Sequence, residues 1–147
     1  NPIVKLISKL PLPGVSEVNG VAAGAGANLA LACDMVIASN SATFIQSFSK
    51  IGLAPDAGGS WSIPTKIGLS RAMGLAFSGE PLSASDAANW GLIWKSYDDH
   101  LLMPKAHELM ESLAQGPTLA LAKTKFLMRS SAKQNLHDQL DLEAQAQ

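Results

Sequence analysis

The residues Val18-Asn19-Gly20-Val21-Ala22-Ala23-Gly24-Ala25-Gly26-Ala27-Asn28-Leu29-Ala30-Leu31-Ala32-Cys33-Asp34 constrain this chain more than any other stretch. An apolar run passes through an Asn-Gly turn into a tract with almost no side chains. It ends on an acid before a second apolar run. Backbone this bare packs closely against its neighbours and lets another molecule approach the main chain. Where such a tract opens a helix, its first N–H groups lack intrahelical acceptors. They can then receive a negatively charged oxygen without any charged side chain.

Residues 22–33 read as that helix, buried and rich in alanine. Strands are expected at 15–18 and 35–38, with a third at 42–44. Two strands joined by a helix of this length predict a parallel βαβ unit with a right-handed crossover. Ahead of it, apolar residues at 3, 4, 6, 7 and 10 form a helical stripe that Pro11 and Pro13 stop. Residues 53–59 carry loop chemistry, and helices are expected at 60–67 and 70–77. Ser83 and Asp86 have the spacing of an N-cap with an acid three residues on. That helix stops at Gly91, and 92–96 reads as a strand. Residues 101–115, 117–129 and 135–147 read as helices. The first half is therefore α/β and the second mainly helical, which divides the chain into 1–97 and 98–147.

The composition narrows the function classes. Of 147 residues, 47% are hydrophobic and 16% charged, which favours a packed core over disorder. A net charge of −1 offers no basic field for nucleic acid or a membrane surface. No apolar run reaches the length of a membrane span. The single cysteine, Cys33, cannot form an internal disulfide and fits a reducing, cytoplasmic setting as a buried inert thiol. His100, His107 and His137 have neither a nucleophile partner nor zinc-ligand spacing, so no metal is expected.

Gly24-Ala25-Gly26 opens a dinucleotide fingerprint, but Leu29 stands where its third glycine belongs. Phe48-Ser49-Lys50 also stands where an acid is needed. Without Gly-Lys-Ser/Thr there is no P-loop. What remains is tight packing through small residues, or an oxyanion site. Here the chain resembles the enoyl-CoA hydratase/isomerase (crotonase) superfamily. The likeness runs through Asn19-Gly20-Val21-Ala22-Ala23-Gly24-Ala25-Gly26, Cys33-Asp34, Ala42-Thr43-Phe44 and Ile51-Gly52-Leu53-Ala54-Pro55-Asp56-Ala57-Gly58-Gly59. It continues through Gly79-Glu80-Pro81-Leu82-Ser83-Ala84 and Ala87-Ala88-Asn89-Trp90-Gly91-Leu92. Within that superfamily, 48–56, 90–95 and 140–143 look most like ring-1,2-epoxyphenylacetyl-CoA isomerases.

The resemblance implies a ββα spiral core with a helical C-terminal region. It also implies chemistry on a CoA thioester through an enolate-like intermediate, with no cofactor beyond the CoA of the substrate. Two backbone N–H groups hold the thioester oxygen in this family, and by position Ala25 supplies one. Donors of this kind are worth roughly 3–4 kcal/mol each. Asp56 falls where the family's double-bond isomerases carry their base. Read from the residues alone it is an N-cap aspartate, held ionised by the helix dipole unless a partly apolar pocket raises its pKa, and capping and catalysis can coexist. Ala22, Gly24, Phe48 and Trp61 are the implied substrate-binding residues, Trp61 being a core candidate as well. The family's hydratases carry two glutamates, and those places hold Asn28 and Phe48 here. Phe48 cannot move a proton, so the expectation is isomerisation, of a phenylacetyl-CoA ring epoxide to an oxepin or of an enoyl-CoA double bond. Alternatives are a hydratase, a 4-chlorobenzoyl-CoA dehalogenase-like enzyme with a nucleophilic Asp56, or a non-catalytic fragment.

Lys123 and Lys125 could meet a CoA phosphate or lie on a solvated face, and Asp141 and Glu143 read as a solvated face. Glu17 departs from the family's small or apolar strand residue. If buried without a partner it would cost several kcal/mol, so it should face solvent or another element. The resemblance also implies that the family's opening strands, its other oxyanion N–H and its final helical segment lie outside these residues. This chain alone is then expected to be inactive, and the full-length protein to assemble as a trimer or a pair of trimers. Mass spectrometry of the intact protein checks this, the expected value lying above the 15.4 kDa of these residues.

Overall fold

The computed structural model describes residues 1–147. Helix α1 spans Pro2–Lys9, with Asn1 capping the Ile3 and Val4 N–H groups and a proline in its first turn. Strand β1 follows at Val15–Val18 and β2 at Val21–Ala23. Between them Asn19-Gly20 turns the chain from one sheet into another, since β1 and β2 belong to different sheets. Helix α2 occupies Gly24–Ala32, followed by β3 at Met35–Ser39 and β4 at Thr43–Ile45.

The helix expected at 22–33 is corrected by this arrangement. Ala22 lies in β2, and Ala23 is the extended residue (φ −121°, ψ 144°) that precedes the helix. High alanine content favours helix only weakly, and the parallel pairing of Ala22 with Phe44 wins. Strand β1 pairs in parallel with β3, and β2 in parallel with β4. Each pass of the chain thus lays one strand in each of two sheets before the helix, a ββα repeat.

The first sheet has the order β1-β3-β6, with β6 at Lys95–Tyr97, and the second β2-β4-β5, with β5 at Leu82–Ser83. The strand expected at 92–96 starts later, because Leu92 and Ile93 are buried where the chain leaves α5 (Ala84–Trp90) and join the core instead. A 3-10 helix, Ser47–Ile51, holds Phe48. Helices α3 (Gly59–Ile67) and α4 (Leu69–Ser78) follow the 53–58 loop. Ser83 caps α5, its Oγ accepting from the Asp86 N–H at 3.0 Å, as the spacing predicts.

The core is built on α2. Gly24, Ala27, Asn28 and Leu31 form its buried face, and Ala27 and Leu31 pack with Val18, Val36, Phe44, Ile63 and Leu82. Alanines at 38, 42, 84 and 87 are wholly buried, so backbones approach closely. On another face Ile37 packs with Leu102 and Ala106 of α6 (Leu102–Ala114). Helices α7 (Thr118–Ser131) and α8 (Leu136–Ala146) complete the chain. Glu17 is exposed on β1, an outer strand of its sheet.

Helix α7 is fastened at Asp34. Its carboxylate accepts the Gly14 N–H at 2.7 Å and bonds to Lys125 at 2.8 Å and to Arg129 at 2.6 Å. Lys125 also donates to the carbonyls of Ile7 and Leu12, both at 2.9 Å. The solvated-face reading of Lys123 and Lys125 is therefore overturned. The Lys125 side chain is only 7% exposed, and Lys123 donates to the Ala146 carbonyl at the end of α8. An ammonium group leaves water only for partners that replace its hydration, and these do so. Partial burial pushes the Asp34 carboxyl up, but the bonds from Lys125, Gly14 and Arg129 outweigh it and hold it below the usual carboxylate range.

Asp34→Ala is expected to lower stability by about 3 kcal/mol, because it leaves two cations without their shared anion. Urea denaturation measures this. The folded pKa of Asp34 lies below its unfolded value of roughly 3.9. Its contribution is thus complete above that pH and is lost as pH falls through the folded value. The stability gap between wild type and variant should close on acidification.

Candidate active site

Gly24 begins α2 with φ +52°, a conformation that side chains other than glycine's resist. A Cβ there would also meet the Phe48 ring, at 3.6 Å from Cζ. Phe48 is 7% exposed, so its ring covers the start of α2. Ala25 follows in the first turn, where helix geometry leaves the N–H without an intrahelical acceptor. Its residue is exposed, and no side chain caps this helix end. The Ala25 N–H thus has neither an intrahelical acceptor nor a side-chain cap.

Asp56 lies three residues before α3, in an exposed position. The N-cap of α3 is Gly58, with no side-chain capping bond, so the capping role considered for Asp56 is not realised. Its carboxylate makes no hydrogen bond or ion pair. What is held is its main chain. The Asp56 carbonyl accepts the Gly59 N–H at 2.8 Å and the Asn28 Nδ2–H at 3.0 Å. Between them the backbone turns through Ala57 at φ +46° and Gly58 at φ +83°. Ala57 is the one non-glycine residue with positive φ. That conformation costs roughly 1–2 kcal/mol, which the surrounding bonds must offset.

Asn28 was singled out in the sequence only as a glutamate place without its glutamate. Here it is 1% exposed, and both of its polar atoms are engaged. Nδ2 donates to Asp56, and Oδ1 accepts from Gln46 Nε2 at 2.9 Å. Gln46, which precedes the 3-10 helix carrying Phe48, has no sequence signal of its own. It reads as a polar residue after a strand, and only the fold buries it. Gly59 fits against Asn28 so closely that a Cβ would lie 2.2 Å from Nδ2.

Of the six residues expected in the site, Gly24, Ala25 and Phe48 are brought together at the start of α2. Asp56 is linked to the same helix through Asn28, one turn beyond Ala25. Ala22 is half-buried in β2 and packs against the core. Trp61 lies on α3, 54% exposed, which excludes the core role considered for it. The three histidines are exposed, His107 lying 3.3 Å from Glu111. Cys33 is half-buried, and that burial, with the neighbouring Asp34, pushes its thiol up and keeps it protonated. No helix is long and apolar enough to cross a membrane.

A ββα repeat over two sheets, with a free helix N-terminus beside a tethered acidic loop, defines a protein of the crotonase fold. The profile of the "Enoyl-CoA hydratase/isomerase" family matches residues 1–147, and the chain belongs to that family. It is 50% identical over 143 residues to the 1,2-epoxyphenylacetyl-CoA isomerase of Escherichia coli, a match covering 97% of this chain and 55% of that protein. It is 46% identical to the protein named "Probable enoyl-CoA hydratase" of Rhodobacter capsulatus, over 99% of this chain and 57% of the relative. Among solved structures, an enoyl-CoA hydratase from Polaromonas sp. JS666 superposes with a TM-score of 0.93 at 36% identity. That superposition covers 97% of this chain and 56% of the other. The chain thus spans a little over half the length of these relatives.

Gly59→Ala should be among the most damaging small substitutions here. The added methyl collides with the Asn28 amide, and overpacking of this kind costs typically 1–3 kcal/mol. A thermal melt should show the loss. Gly26→Ala, which has open space around it, should not show it.

Proposed function

We propose that the intact protein is an acyl-CoA isomerase in which Asp56 is the acid/base and the Ala25 N–H is one of two donors to the thioester oxygen. In a double-bond shift, Asp56 removes the proton next to the thioester carbonyl. The negative charge that develops on the oxygen is met by N–H groups that need no reorganisation. The protonated carboxyl then returns the proton two carbons further along, leaving the conjugated thioester and the original carboxylate. Ring-epoxide rearrangement of a phenylacetyl-CoA derivative uses the same oxygen site and likewise gains or loses no atoms. The 50% identity to an epoxyphenylacetyl-CoA isomerase supports that substrate class.

The observation that carries this reading is the pair of residues at the glutamate places. Adding water needs one group to activate it and another to donate a proton. The Asn28 amide is committed on both sides, and the Phe48 ring lies on Gly24. Asp56 is then the carboxylate these residues bring to the site, which suits an isomerisation that takes and returns a proton. The CoA portion and the second donor would come from segments beyond these residues, and the oligomer expected of the family would be built by the intact protein.

The test is Asp56→Asn in the intact protein, assayed with a 3-enoyl-CoA and with 1,2-epoxyphenylacetyl-CoA. Turnover should fall about 100- to 10,000-fold, the usual range for a general base, while the circular dichroism spectrum stays unchanged. Near-normal turnover by the variant, or none of either substrate by the wild type, would refute the assignment. A covalent aryl ester on Asp56 after rapid quenching with 4-chlorobenzoyl-CoA would instead mark a nucleophilic aspartate.

A further inference from the structure

We infer that Asn28 is a positioning residue for Asp56, and that Gln46 sets the orientation of its amide. The inference rests on Asp56 being the acid/base and goes beyond it by assigning roles to two residues with no access to substrate. Asp56 sits in a turn that its own sequence does not favour, with Ala57 and Gly58 both at positive φ. Its carboxylate is unbonded, so the direction in which it projects depends on its main chain. That main chain is tied to α2 by a single side-chain bond, from Asn28 Nδ2 to the Asp56 carbonyl at 3.0 Å.

The bond requires the amide to present its nitrogen to Asp56. Gln46 enforces this by donating its own Nε2–H to Asn28 Oδ1 at 2.9 Å. Gln46 is itself 4% exposed, and its side chain is aimed at Asn28 by this bond. Gly59 makes the room in which the amide lies, since a Cβ there would overlap it at 2.2 Å from Nδ2. Asn28 lies one turn along α2 from Ala25. The helix that offers the oxyanion N–H therefore also holds the base, and the two groups keep a fixed relation. Reacting groups held in this way lose rate steeply when displaced, about a hundredfold for a displacement near 1 Å.

Three variants of the intact protein test this in the 3-enoyl-CoA assay. Asn28→Leu removes both bonds at nearly constant volume and should lower kcat roughly 10–100-fold with KM within about twofold of wild type. Gln46→Leu, which leaves the Asn28 amide in place but unoriented, should lower kcat less, with KM again steady. In Asn28→Asp the introduced carboxyl can donate to the Asp56 carbonyl only while protonated. Its kcat relative to wild type should therefore fall as pH rises, with the folded fraction checked by circular dichroism at each pH. A purely structural asparagine would lower the melting temperature and leave kcat and the pH ratio of the folded variants at wild-type values, which would overturn the proposal. If Asn28→Leu does not fold, the pH ratio of Asn28→Asp and the kcat of Gln46→Leu decide. Asp56→Asn is run alongside. If it retains turnover, the acid/base reading fails. If it is inactive while the Asn28 and Gln46 variants match wild type, only the positioning role fails.

Discussion

The buried amide of Asn28 is the contact that ties the elements of the candidate site to one another. It joins helix α2, the end of β4 through Gln46, and the loop that carries Asp56. Each bond is worth only about 1 kcal/mol net, yet a polar group left unpaired at such depth costs more than the bond returns. Gly59 makes the joint tight, because no side chain fits where the amide lies.

A second fastening works on the opposite scale of charge. Asp34 ends the segment after α2 and gathers Gly14, Lys125 and Arg129 around one carboxylate. This draws α7 against the loop after α1, although more than ninety residues of sequence separate Arg129 from Asp34. Each charge here keeps partners as it leaves water, so removing any one of them would leave the others uncompensated. Helix α2 thus lies between two polar anchors. One anchor orients the acidic loop, and the other holds the helical half of the chain to the sheets.

Much of the fold was legible because local chemistry and tertiary demand agree. The Asn19-Gly20 turn, Ser83 capping its helix, and the strands β1 and β3 all fall where their patterns put them. Legibility failed where two structures suit the same residues. Ala22 and Ala23 favour a helix by propensity, but pairing with Phe44 and Ile45 makes them a strand. Leu92 and Ile93 look like a strand but serve as core plugs after Gly91. Among the candidate site residues, the bare helix start at Gly24-Ala25 stands out by its pattern, whereas Asp56 is singled out by the family resemblance and reads locally as an N-cap. Asn28 and Gln46 do not stand out as bonded amides, since nothing local distinguishes a buried bonded amide from an exposed one.

By itself the sequence determined the order of elements, the bare start of α2, the Asn28 and Phe48 identities, and the family resemblance that the profile match upholds. These depend on residue type and spacing, which are one-dimensional facts. Only the tertiary structure decided that Lys125 is buried rather than solvated, that Asp56 is held by its carbonyl rather than capping a helix, and that Asn28 performs the holding. Those outcomes depend on which groups meet across 28 residues in one case and 91 in the other, Asn28 to Asp56 and Asp34 to Lys125. Burial and pairing at such separations are properties of the packed chain, because each group's environment is set by residues that lie far from it in sequence.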